Sequence, residues 1–203
     1  MAIRDTATEY STSLNEGPFL IIGLGNVGDE YKLTRHNTGF LALDRLAAKL
    51  ELGDFKHKPE LNADLIETNL AGEKLVLAKP LTFMNKSGLA VVKLQNYYAV
   101  NDPRILVVHD DVDIEFGTIR NRIGGGNAGH NGIKSIEQVI GDQFTRIRVG
   151  VKNQHLENND TAEFVLSSFS RSEIGDLDNI LDYVSEQAVS FVERSFKETS
   201  HSL

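Results

Sequence analysis

The chain is expected to form an α/β fold built on one mixed, mostly parallel, twisted sheet, and three observations lead there. Short apolar runs of strand length alternate with stretches whose apolar residues recur at helical spacing, the pattern of helices packed on a sheet. Two of the runs flank Leu70-Ala-Gly-Glu73, a hairpin signal centred on Gly72 that puts an antiparallel pair into the sheet. With 203 residues, 40% hydrophobic and 25% charged, the chain has the size and composition of a single globular domain with a full core.

Taken in order, residues 1–17 carry Arg4 against Asp5, Glu9 and Glu16, so they read as a mobile polar extension, neither a signal nor a transit peptide, ahead of a domain over 18–203. Leu20 to Leu24 is a buried strand. Phe40, Leu43, Leu46, Ala47 and Leu50 mark a helix face, with Asn37 or Thr38 placed to cap its start. Ala63 to Asn69 and Lys74 to Lys79 are the hairpin strands, and a helix follows from about Ser87 to Tyr98. Arg104 to His109 is an apolar strand ending in Asp110-Asp111, and Thr118 to Ile123 alternates like a strand before the glycine-rich stretch Gly124 to Gly132. Ile133, Ile136 and Ile140 give a short helix. Arg146 to Val151 is a strand with Ile147, Val149 and Val151 on one face, and Lys152 to Asp160 is polar and loop-like. Ser170-x-x-Glu173 is a capping box that opens a long final helix with Leu177, Leu181, Val184, Ala188 and Phe191 on its buried face.

Composition excludes several classes of chemistry. There is no cysteine, so disulfides, thiolate catalysis and cysteine-held zinc are ruled out, and the cytoplasm is the expected compartment. No apolar run approaches the ~18 residues of a membrane span. The net charge of −8 argues against nonspecific nucleic-acid binding, but the charge is unevenly spread. Leu156 to Leu203 holds ten acidic residues and three basic ones, whereas between Gly117 and Lys152 the basic Arg120, Arg122, Lys134, Arg146, Arg148 and Lys152 face only Glu137 and Asp142. That stretch is a candidate basic patch on an acidic protein.

Gly23, Gly25 and Gly28 match G-x-G-x-x-G after a strand, the fingerprint of a dinucleotide site. The residues that follow oppose it. Asp29 and Glu30 stand where a pyrophosphate needs the positive start of a helix, and the helix begins some ten residues late, after a polar loop with Tyr31, Arg35 and His36. A nicotinamide-dependent oxidoreductase is thus the weaker reading. The glycines are expected instead to let the backbone turn tightly so that Asn26 faces a cleft.

Ligand sites in open α/β sheets gather at the carboxyl ends of strands. Asn26, Asn85 and Asp110 fall at or near such ends, His36 lies in the loop before the first helix, and the loop with His130 and Asn131 can fold over the same edge. A histidine beside an aspartate is a good general base, because the carboxylate fixes the tautomer while the second nitrogen takes a proton from water. His36 with Asp110 fits that division of labour, with His109 and His130 as rivals. No Gly-x-Ser-x-Gly elbow offers a covalent nucleophile, so direct attack by water is the simpler route. Asparagine amides can serve a developing oxyanion and a substrate N–H, which suits an ester or amide carbonyl. No tight metal-ligand spacing is present, so neither a metal nor a cofactor is expected. Asn85 also stands where it would cap the next helix.

Five blocks carry a resemblance. They are Gly23-Leu-Gly-Asn-Val-Gly-Asp-Glu-Tyr31 with Thr34-Arg-His-Asn-Thr-Gly-Phe40, Lys79-Pro-Leu-Thr-Phe-Met-Asn-Lys-Ser-Gly88, His109-Asp-Asp-Val-Asp113, Gly124 to Ile136, and Arg146-Ile-Arg-Val-Gly150. In this order they resemble the bacterial-type peptidyl-tRNA hydrolase family over most of Phe19 to Val151. The resemblance implies a monomeric α/β/α sandwich that hydrolyses the ester between a peptide and the 3′-terminal ribose of tRNA, meeting the acceptor stem and 3′ end of its substrate. His36 matches the catalytic base, Asp110 its carboxylate partner, and Asn26 the residue linked to telling N-blocked peptidyl-tRNA from free aminoacyl-tRNA. Tyr31, Phe83, Asn85 and Asn131 match substrate-contacting positions. Arg120, Arg122 and Arg148 fall where the family grips tRNA phosphates, and Lys134 belongs to the same basic stretch. The chain departs from the family pattern at Val27, Asp111-Val112, Asn127-Ala128 and Lys152-Asn-Gln154. The alternative from another class is a catalytically silent RNA-binding relative of the same fold.

Overall fold

The structure, a computed structural model, describes residues 17–156 and 160–203. The extension expected over 1–17 lies, Gly17 apart, outside the described residues. One sheet contains eight strands: β1 (Phe19–Gly23), β2 (Lys56–Lys58), β3 (Ala63–Leu70), β4 (Glu73–Pro80), β5 (Ile105–Glu115), β6 (Thr118–Ile123), β7 (Thr145–Lys152) and β8 (Thr199–Ser202). Five α-helices accompany it: α1 (Thr38–Lys49), α2 (Ser87–Tyr98), α3 (Asn131–Ile140), α4 (Thr161–Leu166) and α5 (Arg171–Val192).

The spatial order is β2-β3-β4-β1-β5-β7-β6-β8. β4, β1, β5 and β7 are parallel and form the centre, while β2-β3-β4 at one side and β7-β6-β8 at the other are antiparallel. The expected parallel majority therefore holds for the centre of the sheet and not for its edges. β6 leaves β5 through Phe116-Gly117 yet pairs with β7, which runs between them.

Alternating residues of the central strands feed two cores. Leu106 and Val108 of β5 join Leu43 and Leu46 of α1 and Leu177, Ile180 and Val184 of α5 on one face. Ile105 and Val107 join Val91 and Leu94 of α2 and Ile133 and Ile136 of α3 on the other. Burial on both faces explains why these strands read as unbroken apolar runs. β2, β8 and α4 are the elements that periodicity missed. Lys56-His-Lys58 and Thr199-Ser-His-Ser202 are short polar edge strands with no apolar alternation to detect, and six residues of α4 are too few to establish a helical period.

The glycines after β1 have a different purpose from the expected one. Only Gly28 turns in the left-handed region, at φ 128°. Gly23 and Gly39 permit close approach: a Cβ on Gly39 would lie 2.2 Å from the Leu24 nitrogen and 2.4 Å from the Val108 carbonyl oxygen, and one on Gly23 would meet the Gly39 oxygen at 2.2 Å. The start of α1 is thereby pressed onto β1 and β5, which brings the loop before it to the carboxyl end of β1 and the adjoining stretch of β5. Because the clash is with backbone on two strands, G39A is expected to cost about 3 kcal/mol, the upper part of the overpacking range. Urea unfolding checks this, and a loss below about 0.5 kcal/mol, the level of an ordinary surface substitution, would contradict it.

Candidate active site

A single 3-10 turn, Arg35–Asn37, sends three consecutive side chains to three parts of the fold. All three residues are buried. Arg35 reaches the start of α5, His36 reaches β5, and Asn37 reaches the segment after β1.

Asn37 Nδ2 donates to the Asn26 carbonyl at 3.0 Å and its Oδ1 accepts the Asn26 N–H at 2.8 Å, so both backbone polar groups of Asn26 are held by one amide. This replaces the capping expected of Asn37 or Thr38: Asn37 occupies the N-cap position of α1 without a side-chain cap, and the Thr38 hydroxyl donates to the Arg35 carbonyl at 2.6 Å. The Asn26 side chain is equally fixed, its Oδ1 accepting the Met84 N–H at 2.9 Å, which leaves its Nδ2 hydrogens without a partner among the described residues. Asn85 does not cap α2, since Lys86 holds that position; it is exposed in the turn Met84–Lys86, and Phe83 just before it is 62% exposed.

His36 Nδ1 lies 3.0 Å from both oxygens of Asp110, and His130 Nε2 lies 3.0 Å from Oδ1. Asp110 is part of β5 rather than following it, because the strand runs on to Glu115. The network assigns the tautomers. His130 Nδ1 accepts the backbone N–H groups of Gly132 and Ile133 as the N-cap of α3, so its ring proton is on Nε2 and is donated to Asp110. His36 donates Nδ1–H to the same carboxylate, which leaves its Nε2 as a lone pair with no partner among the described residues. His109 donates Nδ1–H to the Asp110 carbonyl at 2.7 Å, and its Nε2 is buried without a partner. Of the two rivals, His130 has both nitrogens committed and His109 is sealed in the interior, so His36 alone offers a reactive nitrogen at this edge.

The electrostatics follow from this geometry. Burial of His36 disfavours its charged form, but the negative charge of Asp110 and the hydrogen bond to it prevail, and the pKa lies above the ordinary 6.5. Burial would raise Asp110, yet the two imidazoles facing it more than compensate and hold its carboxyl below the usual range. His109 is kept neutral chiefly by burial.

A cavity of about 310 Å³ opens on this group, lined in part by His36, Asp110, His130 and Asn131, with Asp160 and Val165 of the α4 region forming the far wall. Asn131, at the start of α3, is exposed there. Tyr31 in the turn Asp29–Tyr31, Phe83, Asn85 and Asn26 do not line this cavity; Asn26 adjoins it through Met84, whose sulfur sits with the His130 ring around Gly132. A larger cavity of about 720 Å³ near Gly17, Tyr98 and Arg104 holds none of these groups. His36, Asp110 and His130 would also suit the ligand set of a cation, their donor atoms lying within 4.8 Å of one another, but the two imidazole N–H bonds to Asp110 already account for the arrangement.

Arg35 was legible only as a polar loop residue. Its Nη2 bonds both Glu173 oxygens at 3.0 and 2.8 Å, its Nη1 bonds the carbonyls of Ser167 and Ser168 and the Ser167 hydroxyl, and its guanidinium lies 4.5 Å over the Phe164 ring. Glu173 is the capping-box residue of α5 and also accepts Asn153 Nδ2 at 2.7 Å. The family departure at Lys152-Asn-Gln154 is thus tied to the clamp that holds the His36 turn against α4 and α5. The departure at Asn127 is likewise bonded, Nδ2 donating to Glu137 at 2.7 Å, the carboxylate that also pairs with Arg146.

The basic residues are less uniform than the sequence suggested. Arg148 Nε bonds Asp111 at 2.7 Å, Arg146 is buried against Glu137, Arg122 donates to backbone carbonyls, and Arg120 and Lys134 make no ion pair among the described residues.

Together the helix-covered sheet and its buried His–Asp pair define an α/β protein with a candidate general-base site. A family model described as peptidyl-tRNA hydrolase matches residues 20–203. The chain is 46% identical over 154 residues to the peptidyl-tRNA hydrolase of Rickettsia prowazekii (strain Madrid E), covering 76% of this chain and 82% of that protein. It is 40% identical over 179 residues to the peptidyl-tRNA hydrolase of Rickettsia africae (strain ESF-5), covering 88% and 96%. The crystal structure of peptidyl-tRNA hydrolase from Acinetobacter baumannii matches with a TM-score of 0.81 at 34% identity, over 88% of this chain and 90% of that one. The chain belongs to the peptidyl-tRNA hydrolase family.

R35M is expected to cost about 3 to 5 kcal/mol in urea unfolding, because it strands the Glu173 carboxylate in a buried site. The double variant R35M/E173Q recovers part of that loss, and a single-variant cost below about 1 kcal/mol, as for an exposed pair, would contradict the clamp.

Proposed function

We propose that His36, oriented by Asp110, activates the water that hydrolyses the ester of peptidyl-tRNA, releasing the peptide acid and free tRNA. The observation that carries this assignment is the unpartnered Nε2 of His36, the one ring nitrogen among the three clustered histidines left for a substrate. Nε2 takes a proton from water as its oxygen attacks the ester carbonyl, and Asp110 stabilises the imidazolium that forms. The tetrahedral intermediate then collapses: the bond to the ribose oxygen breaks, and that oxygen takes the proton back from Nε2.

The amides of Asn26 and Asn131, both without a partner at Nδ2 among the described residues, are suited to the oxyanion and the first peptide amide. A site built around that amide penalises a charged free α-amine, the basis for selecting N-blocked substrates. Tyr31, Phe83 and Asn85 extend the contact surface beyond the cavity, and Arg120, Arg122, Arg148 and Lys134 supply contacts to phosphates that are independent of tRNA sequence. The reading includes a monomer acting in the cytoplasm, consistent with a chain without cysteine and with no described helix long and apolar enough to cross a membrane.

Incubation with an N-acetylated aminoacyl-tRNA and its unblocked form tests the function. Cleavage of the blocked form alone is expected, and cleavage of neither would favour the silent RNA-binding relative. H36A should lower kcat by about 10³-fold with an unchanged circular dichroism spectrum, within the range for loss of a general base; near-normal turnover would sink the assignment. The base works only when neutral, so kcat/KM should rise with pH through a midpoint above 6.5. D110N should move that midpoint down as the rate falls, and an unmoved midpoint would remove Asp110 from the role.

A further inference from the structure

The register of the last strand places the end of the chain beside the basic residues. β8 sets Ser200 opposite Arg120, His201 opposite Ile119 and Ser202 opposite Thr118, and β6 in turn sets Arg120 opposite Arg148 of β7. Successive side chains alternate across a sheet, so Arg148, Arg120, Ser200 and Ser202 share one face while Val149, Ile119 and His201 share the other. The second face packs on α5: Ile119 and Val149 lie in the core, and the ring of His201, itself exposed, stacks on Tyr183 of α5 with centroids 4.3 Å apart.

The first face is open at this edge. Ser200 and Ser202 are exposed, and the Thr118 and Ser202 hydroxyls bond each other at 2.9 Å. Arg120 has no ion-pair partner among the described residues. The Arg122 guanidinium donates to the carbonyls of Asn121 and Thr199, so β8 fixes its position without neutralising its charge. The strip begins at the active site, because Arg148 pairs with Asp111 and Asp111 lines the cavity. From Asp111 through Arg148 and Arg120 to Ser200 it crosses from β5 to β8, roughly 14 Å at the usual strand spacing.

Three carboxylates of the acidic tail lie away from this strip. Asp178, Asp182 and Glu186 are on α5, on the opposite side of the sheet, where they pair with Arg45 and Lys49 of α1. Asp111, paired with Arg148, and Glu198, which accepts the Ile123 N–H, are carboxylates beside the strip itself.

We infer that β8 completes the tRNA-binding face, with the hydroxyls of Ser200 and Ser202 beside Arg120 donating to the phosphate oxygens of the acceptor stem as it leaves the cavity. This rests on the peptidyl-tRNA reading above and adds the C-terminal strand to the substrate interface. Hydroxyls and arginines are donors suited to phosphate oxygens, and a flat strip of them fixes the position of a duplex without reading its sequence.

The test is a pair of charge changes that should act in opposite directions. The dissociation constant for a fluorescently labelled deacylated tRNA, read by anisotropy at low salt, should rise about tenfold in S200E/S202E and fall about threefold in S200K/S202K, with both shifts shrinking as salt is raised. K56E, at the far edge of the sheet, controls for net charge and should leave binding unchanged. Opposite shifts cannot come from misfolding, so constants that stay put or move together in the two double variants would overturn the proposal. Hydrolysis of N-acetylaminoacyl-tRNA by the unaltered protein is measured alongside. Its absence would defeat the catalytic reading, whereas normal hydrolysis with unmoved binding would defeat only the role of β8.

Discussion

The Asp110 carboxylate, buried on the central strand β5 and accepting N–H groups from His36 and His130, is the constraint around which the site is built. A lone buried carboxylate is expensive, and it is tolerated because donors converge on it from two separate loops. The same bonds orient both rings. His130 is further held by the backbone at the start of α3, so the glycine-rich loop before that helix is anchored to the strand that carries the acid. One charge thereby couples β5, the His36 turn and α3, and leaves one imidazole nitrogen for chemistry.

The fold supplies the convergence. Parallel β1 ends opposite Val108 of β5, which runs on past it, α1 is pressed onto both at Gly23 and Gly39, and the turn before α1 is left beside the end of β1 and Asp110 of β5. Within that turn Arg35 grips the α4–α5 region, His36 the acid, and Asn37 the backbone of Asn26. The three bonds differ in kind. The Arg35 clamp is a buried ion pair, which contributes specificity of arrangement more than net stability. The Asn37 amide satisfies two backbone groups that would otherwise need water, and so fixes Asn26 in place.

Much of this was visible in the chain, and what was not has physical causes. The central strands and long helices were legible because buried faces impose apolar periods, and the capping box at Ser170 and Glu173 was legible because it is local. The pairing of His36 with Asp110 was accessible through residue chemistry together with the rule that sites gather at strand ends. Arg35 was not, since a buried arginine looks like a surface one until Glu173, 138 residues away, is brought beside it. Nor did spacing reveal that His130 uses both nitrogens, because a histidine N-cap leaves no sequence mark distinct from a loop histidine. The glycine triplet after β1 was ambiguous for a related reason: glycine records the need for close approach or for an unusual backbone angle, and only the positions of Gly39 and Phe40 show which.

Asp110 sets the tautomers of two histidines, and of those two it leaves His36 with a free basic nitrogen. The imidazole ¹⁵N spectrum of the protein labelled at histidine reads this directly. In the alkaline range His36 is expected to be protonated at Nδ1 and His130 at Nε2, with D110N releasing both rings to mixtures. A spectrum with His36 protonated at Nε2, or with His130 protonated at Nδ1, would contradict it.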